Sequence, residues 1–325
     1  METVVTWFGP FEDTGAYATI NRQLSTALER RGWRVLRNQH NDGLSLTPIA
    51  VAHVYPPRAL NVTHPHTIAL TAWEFAGALG VPLSFIPALK GYDQVCAPAH
   101  WTAAIIGAAL DREVQVVPWG VDPDEFTPDG DRYPLPDDGR TRVLWAGGTD
   151  KRHGFDLAVA MLDMLPDDFV LITKQSVHYP AEHTDHPRVV IIRDDLPSMA
   201  PLYRACDLFV HSASGVGFAL HCLEALACGL PVASTALPPV LDYASDRVVL
   251  AEPGTWRVFD HHLHRDCVPE WMETGAEALA QTVQQAAALP KLTALSPDFL
   301  ASWSWDHSAE VLERVLLSVG VRHEA

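Results

Sequence analysis

The chain is short of positive charge. Lys and Arg number 23 against 40 Asp and Glu, giving a formal net charge of −17 over 325 residues. That balance excludes broad binding to nucleic acid or to an anionic membrane, which both need a positive field. A local basic groove for a single phosphate ligand is still compatible with it. Cysteine is scarce too: Cys96, Cys206, Cys222, Cys228 and Cys267 are scattered, odd in number and without metal-ligand spacing. They read as small core residues in a reducing compartment, so a cytoplasmic location is expected. The first residues lack the basic region of a signal peptide. The most apolar stretch, residues 67–89, is broken by Glu74, Pro82 and Pro87 and does not read as a membrane span. Two catalytic signatures are also missing. Ser214-Gly215-Val216-Gly217 is not a hydrolase elbow, and Gly147-Gly148-Thr149 lacks the Gly-Lys-Ser/Thr ending of an ATPase phosphate loop.

What is present is strand and helix in alternation. Residues 3–8 form a β-rich run ending at Gly9-Pro10, and a loop through Gly15 and Ala16 follows. From Tyr17 to Arg31, Ile20, Leu24, Ala27 and Leu28 share a helical face, and Gly32 stops it. Strands are predicted at 33–36, 49–54, 67–72, 92–97 and 114–117, with a helix at 100–110. Asp122 to Arg140 is rich in Pro, Gly and Asp and reads as a domain linker. A second series begins at Arg142: strands at 142–146, 169–173, 189–192, 208–211, 231–234 and 248–251, and helices at 155–165, 199–205, 277–288 and 307–317. A further short helix carries Glu224. The expected fold class is therefore α/β, with two Rossmann-like doubly wound domains and the ligand in the cleft at the carboxyl ends of the strands. The domain reading is 1–122, a linker at 123–140, a second domain at 141–300, and a closing helix at 301–325 that crosses back to the first domain.

The most informative stretch runs from Val216 to Val232: a small-residue loop, a short helix, a Gly-Leu-Pro stop and a strand. Free N–H groups at such a helix start, with the positive end of its dipole, suit an anion or a sugar hydroxyl. Glu224 lies on the second turn of a helix that is apolar on most sides.

Taken together, several segments resemble the GT-B glycosyltransferases, specifically the large retaining family four. They are Gly9-Pro10 with Thr14-Gly15-Ala16; Thr71-Ala72-Trp73-Glu74-Phe75 with the loop from His53 to Pro57; Val117 to Asp122 with Phe126 and Pro128; Gly147-Gly148-Thr149 with Arg152 to Asp156; the Glu224 segment; and Ser304-Trp305. The resemblance implies a metal-independent hexosyltransferase-type enzyme (EC 2.4). It would move a sugar from a nucleoside-diphosphate sugar to a hydroxyl of a saccharide or lipid-linked acceptor, with no cofactor and no protein nucleophile. It assigns Gly15, Ala16, Gly147, Gly148, Thr149, Gly217, Phe218, Ala219, Leu220 and Glu224 to the donor, with Glu224 on the ribose hydroxyls.

Three positions depart from the family pattern. A second glutamate is replaced by Val216, a diphosphate arginine by Gly148 and a lysine by His153. Arg152 and Lys174 are the candidates to supply the charge, with His153 a partly charged substitute, and these three are taken as catalytic. His53, Tyr55, Trp73 and Glu74 fall toward the acceptor side, where Trp73 would stack on a sugar and His53 or Glu74 would orient a hydroxyl. His64, His66, His261, His262 and His264 read as surface loop histidines and Asp122-Pro123-Asp124 as a turn, so no metal site is expected. Arg22, Arg30, Arg31, Arg34 and Arg37 around the first helix fit a weak peripheral membrane contact. The alternative reading is a catalytically degenerate GT-B protein that binds nucleotide or glycan or supports a partner enzyme. A non-hydrolysing sugar epimerase is the third.

Overall fold

A computed structural model describes residues 3–13, 15–38, 47–60, 64–148, 150–175, 184–194, 196–261, 263–294 and 296–321. Thr14, Thr149 and His262 lie outside the described residues. The first half of the chain runs β1 (Val4–Phe8), α1 (Ala16–Arg30), β2 (Arg34–Asn38), β3 (Ile49–Ala52), β4 (His66–Leu70), β5 (Ala76–Leu79), α2 (Phe85–Lys90), β6 (Gln94–Ala97), α3 (His100–Leu110) and β7 (Gln115–Val116). The second half runs β8 (Thr141–Gly147), a 3-10 turn at Lys151–His153, α4 (Phe155–Leu162), β9 (Phe169–Gln175), β10 (Val189–Ile192), α5 (Ala200–Ala205), β11 (Leu208–His211), α6 (Leu220–Ala227), β12 (Val232–Ser234), α7 (Pro238–Leu241), β13 (Val248–Leu250), β14 (Thr255–Val258), β15 (Val268–Glu273), α8 (Ala276–Ala287), α9 (Pro297–Ser302) and α10 (Trp305–Val321).

The chain divides into two compact units, one of residues 1–120, 258–270 and 301–325, the other of residues 121–257 and 271–300. The sequence reading placed residues 258–270 in the second domain. In the structure they join the first unit, because β15 pairs antiparallel with β5 through Val268–Leu79 and Glu270–Ala76. Gly77 permits that pairing: its φ is +106°, and a Cβ there would stand 2.7 Å from the Val268 carbonyl oxygen.

The first unit holds a parallel sheet in the order β2-β1-β3-β4-β6-β7. β1 and β3 are buried at every position, the mark of central parallel strands covered on both faces. α10 packs along α1 and buries Trp305, Ala309, Leu312, Leu316 and Val319 at helical spacing. Its acids meet the arginines expected to form a basic face. Arg30 bonds Asp306 with Nη2 2.7 Å from Oδ1, and Arg31 Nε lies 2.8 Å from Glu313 Oε2. Arg37 pairs with Glu29, and Arg22 donates to the carbonyls of Phe11 and Asp13. Four of the five arginines are therefore held by the protein's own acids and carbonyls.

The second unit holds a parallel sheet in the order β10-β9-β8-β11-β12-β13. Val143, Trp145, Leu171, Leu208 and Val210 of its central strands pack with Phe155, Met161, Leu162, Leu279 and Val283 from α4 and α8. The region read as a linker packs on this unit. Arg204 Nε donates to the Asp131 carbonyl at 2.7 Å and its Nη1 to that of Thr127 at 3.2 Å. Asp122 makes the expected turn, accepting from the Asp124 N–H at 3.0 Å.

One glycine locks the end of β11 to the start of α4. Gly154 has φ +72°, and a Cβ there would lie 2.0 Å from the Ser212 carbonyl oxygen. Gly139 has φ +74° with nothing within 4 Å of its virtual Cβ. Gly139→Ala should therefore lose only the left-handed preference, about 1–2 kcal/mol, whereas Gly154→Ala should lose several-fold more. Urea midpoints of the two variants test this, and equal shifts would refute the packing argument.

Candidate active site

In an open α/β sheet, ligands bind where neighbouring strands send their connections to opposite faces, beyond the carboxyl ends. In the second unit that reversal falls between β8 and β11, since the sheet runs outward from β8 to β9 and β10 on one side and from β11 to β12 and β13 on the other. Gly147 ends β8 and Gly148 follows it, and residues 212–219 leave β11. The sequence-assigned donor residues of this unit therefore gather at its reversal point.

Ser212 holds the crevice in shape. Its hydroxyl accepts from Trp145 Nε1 at 3.0 Å and donates to the Gly154 carbonyl at 2.7 Å. The 3-10 turn that carries Arg152 and His153 is thereby tied to the β11 loop, as it is again by the Ser214 N–H on the Arg152 carbonyl at 2.7 Å. Gly147 must lack a side chain: a Cβ would meet Trp145 Cζ2 at 2.7 Å. Gly148 lies beside the imidazole of His153, with room for a methyl group at 3.6 Å.

The loop before α6 is set by Tyr243. Its hydroxyl is 3.2 Å from the Phe218 carbonyl and 2.9 Å from that of Ala219. A trans peptide points its N–H opposite to its C=O, so pinning these two oxygens aims the N–H groups of Ala219 and Leu220 away from Tyr243. Ala219 takes the left-handed conformation, φ +62°, to make this turn. The Phe218 ring is buried beside Tyr243, so only its backbone is available to a ligand.

Glu224 lies on α6 and is buried. Its Oε2 accepts from the Tyr203 hydroxyl at 2.8 Å and lies 3.1 Å from His221 Nδ1. Its Oε1 has no hydrogen-bond partner among the described residues. Burial, and then the Glu224 carboxylate, push the Tyr203 phenol well above its usual range, so it stays a donor. His221, one helical turn before Glu224, is absent from the sequence expectations, although its i, i+3 spacing carried the signal. Tyr203 comes from α5, and no local pattern pointed to it.

The three catalytic candidates fare differently. Lys174 is the next-to-last residue of β9, and its Nζ donates to the Gln175 carbonyl at 2.8 Å. Arg152 Nε stands 3.5 Å from Asp150 Oδ2, which offsets part of its charge. His153 is not the partly charged substitute expected. Burial, helped by Arg152, His221 and His211, drives its pKa well below the ordinary value, so it is neutral. His211, missed by the sequence reading, ends β11 and is lowered by burial to about 3.

In the first unit the reversal falls between β1 and β3. Gly15 caps α1 there and Ala16 begins it, both exposed. His53 follows β3 and is fully buried, stacked on Tyr17 with ring centroids 4.5 Å apart. Tyr55 bonds His264, Oη to Nε2 at 2.8 Å. Trp73 does not offer a face for a sugar: it is 1% exposed, stacked on His261 and edged by Phe75 and Phe85. Glu74 is half-buried next to it. Nor are the grouped histidines surface loop residues throughout, since His64 and His261 are buried. No group of three or more His, Cys, Asp or Glu among the described residues could hold a metal ion, and no helix among them is long and apolar enough to cross a membrane.

Three neutral histidines, His53 buried and His153 and His211 half-buried, give the fold a signed pH dependence. In the unfolded chain His53, His153 and His211 titrate near 6.5, and all are lowered in the folded chain, His53 and His211 to about 3. The unfolded state then binds more protons as pH falls through 6.5, so stability is full above that pH and is lost toward pH 3. Three such groups give a slope of up to about 4 kcal/mol per pH unit. His211→Gln should flatten the loss of urea stability between pH 7 and 5 by up to about a third; an unchanged slope would contradict a neutral His211.

Residues 140–262 match the family described as Glycosyl transferases group 1. A D-inositol 3-phosphate glycosyltransferase of Xylanimonas cellulosilytica is 30% identical over 160 residues, a match covering 41% of this chain and 37% of that relative's length. The sucrose-phosphate synthase structure from Thermosynechococcus elongatus superposes with a TM-score of 0.73 at 16% identity, over 98% of this chain and 99% of that one. Anabaena Alr3699/HepE, solved with UDP and glucose, superposes with a TM-score of 0.63 at 11% identity, over 97% and 100%. Residues 140–262 are thus similar to group 1 glycosyltransferases, in a chain with the GT-B fold.

Proposed function

We propose that this chain is a retaining, metal-independent glycosyltransferase of the hexosyltransferase type. It transfers a sugar from a nucleoside-diphosphate sugar to a hydroxyl of a saccharide or lipid-linked acceptor. The carrying observation is Glu224: a buried carboxylate with one oxygen held by Tyr203 and His221 and the other open, next to a pinned loop of N–H groups at the reversal point. Such an oxygen accepts from two adjacent ribose hydroxyls. The UDP and glucose bound to Alr3699/HepE support a donor of this class.

Breaking the bond to the diphosphate leaves negative charge on phosphate and positive charge on the sugar ring. Donors fixed in advance stabilise that charge without reorganising. Here the N–H groups of Ala219 and Leu220 are the fixed donors, and Lys174 and Arg152 bring positive charge. His153, neutral, contributes a hydrogen bond rather than a charge. Retention by same-face attack needs no carboxylate nucleophile, which fits a valine at 216. The second reading, a nucleotide-binding protein without turnover, is favoured by one observation: the positions of Gly148 and His153 bring no positive charge.

A thermal-shift panel with UDP, GDP, ADP, CDP and TDP should show one base stabilising the chain, by about 3–4 kcal/mol near saturation. Glu224→Ala should weaken that nucleotide by about 10- to 100-fold; unchanged affinity would remove Glu224 from the donor site. Slow hydrolysis of the matching sugar nucleotide supports transfer, whereas binding without turnover across donors and acceptors favours the second reading.

A further inference from the structure

We infer that His53 binds a saccharide hydroxyl through Nε2, and that Asn21 is the positioning residue that makes this atom an obligatory acceptor. The ligand class rests on the glycosyltransferase reading; the chemistry of the atom does not.

Asn21 is fully buried on α1. Its Nδ2 lies 2.9 Å from the Pro10 carbonyl oxygen and 3.3 Å from that of His53. Both partners accept only, so the amide nitrogen faces them and Oδ1 faces the other way. There it receives Trp7 Nε1 at 3.0 Å, which donates only. His53 Nδ1 stands 2.7 Å from the same Oδ1 and must therefore carry the proton. Burial keeps the ring neutral, with a pKa lowered to about 3. A neutral imidazole protonated at Nδ1 has a bare lone pair at Nε2. That atom is buried and has no hydrogen-bond partner among the described residues.

A buried acceptor without a donor is destabilising, and native structures rarely tolerate one without a use. A metal would need further ligands, and no cluster of three ligating side chains occurs among the described residues. Phosphate oxygens only accept at neutral pH, so the atom discriminates against a diphosphate. A sugar hydroxyl donates and is the group it selects. The location agrees: His53 is the first residue after β3, at the reversal point of its sheet, with Tyr17 fixing the plane of the ring. Gly9 makes the arrangement feasible, since a Cβ there would lie 2.4 Å from Asn21 Nδ2 and 2.6 Å from the His53 carbonyl oxygen.

The test is nitrogen-15 NMR of the full chain labelled at histidine, with His53 assigned from the resonances missing in His53→Gln. The free protein should show Nδ1 protonated and Nε2 bare. Adding glucose, maltose or UDP-glucose should move Nε2 upfield for at least one of them, and UDP alone should not. Asn21→Ala should show averaged tautomers and bind that sugar about tenfold more weakly, with UDP affinity unchanged. If that variant does not fold, the wild-type spectra decide. A proton on Nε2, no response to any of the sugars, or an equal response to UDP alone overturns the proposal. A chain that binds UDP through Glu224 without a sugar response at His53 loses this inference and keeps the donor reading. One that binds no nucleotide and responds to glucose loses the donor reading instead.

Discussion

In each unit a single buried side chain, bonded to the indole of the first strand, holds the reversal point open. In the second unit it is Ser212, which accepts from Trp145 and donates to Gly154. In the first it is Asn21, which accepts from Trp7 and donates to Pro10 and His53. The indole is rigid and donates once, so it fixes where the oxygen of its partner stands. That oxygen's own residue then fixes two loops. Each node also needs glycine around it, because the loops pass within covalent-like range of where a side chain would begin: Gly9 in the first unit, Gly147 and Gly154 in the second. The loops at both points are held by buried hydrogen bonds. Losing one partner in such a network leaves the others unsatisfied.

The polar lining at these points carries little charge. Two positions expected to be basic are a glycine and a neutral histidine, and Arg152 is partly offset by Asp150. Under the proposed function, Lys174 and Arg152 would share the negative charge of a leaving diphosphate with dipoles: the N–H groups aimed by Tyr243 and the start of α6. Dipoles held in place lose nothing to reorganisation, whereas long cationic side chains give up rotamer freedom. A site of this kind suits a chain whose net charge is −17. On the proposed function it would attract a polyanionic donor less at long range and rely on contacts made once the donor is seated.

The sheet strands were legible because a buried parallel strand writes itself as an unbroken apolar run, as at Phe169–Ile172 and Leu208–Val210. The turn into α6 was legible because small residues before a helix have few other readings. What the sequence hid is what depends on chain segments meeting from afar. Tyr203 and Glu224 are 21 positions apart and on different helices. β5 and β15 are short, partly exposed strands whose pairing joins segments far apart in the chain. Histidine was the least legible residue type, since its burial decides both its charge and its role, and burial is a property of the fold.

That last point links the two nodes to chemistry. Histidines at strand ends, His53 buried and His211 half-buried, are held neutral at some cost to stability in acid, yet an imidazole held in one tautomer does what no other side chain does at neutral pH. It presents a nitrogen lone pair whose direction is set by the partner of the opposite nitrogen. At His53 that partner is Asn21, an amide rather than a carboxylate. A carboxylate in the same place would favour the imidazolium and turn Nε2 into a donor. The uncharged partner keeps the lone pair, and with it a preference for ligands that bring a hydroxyl over ligands that bring a phosphate.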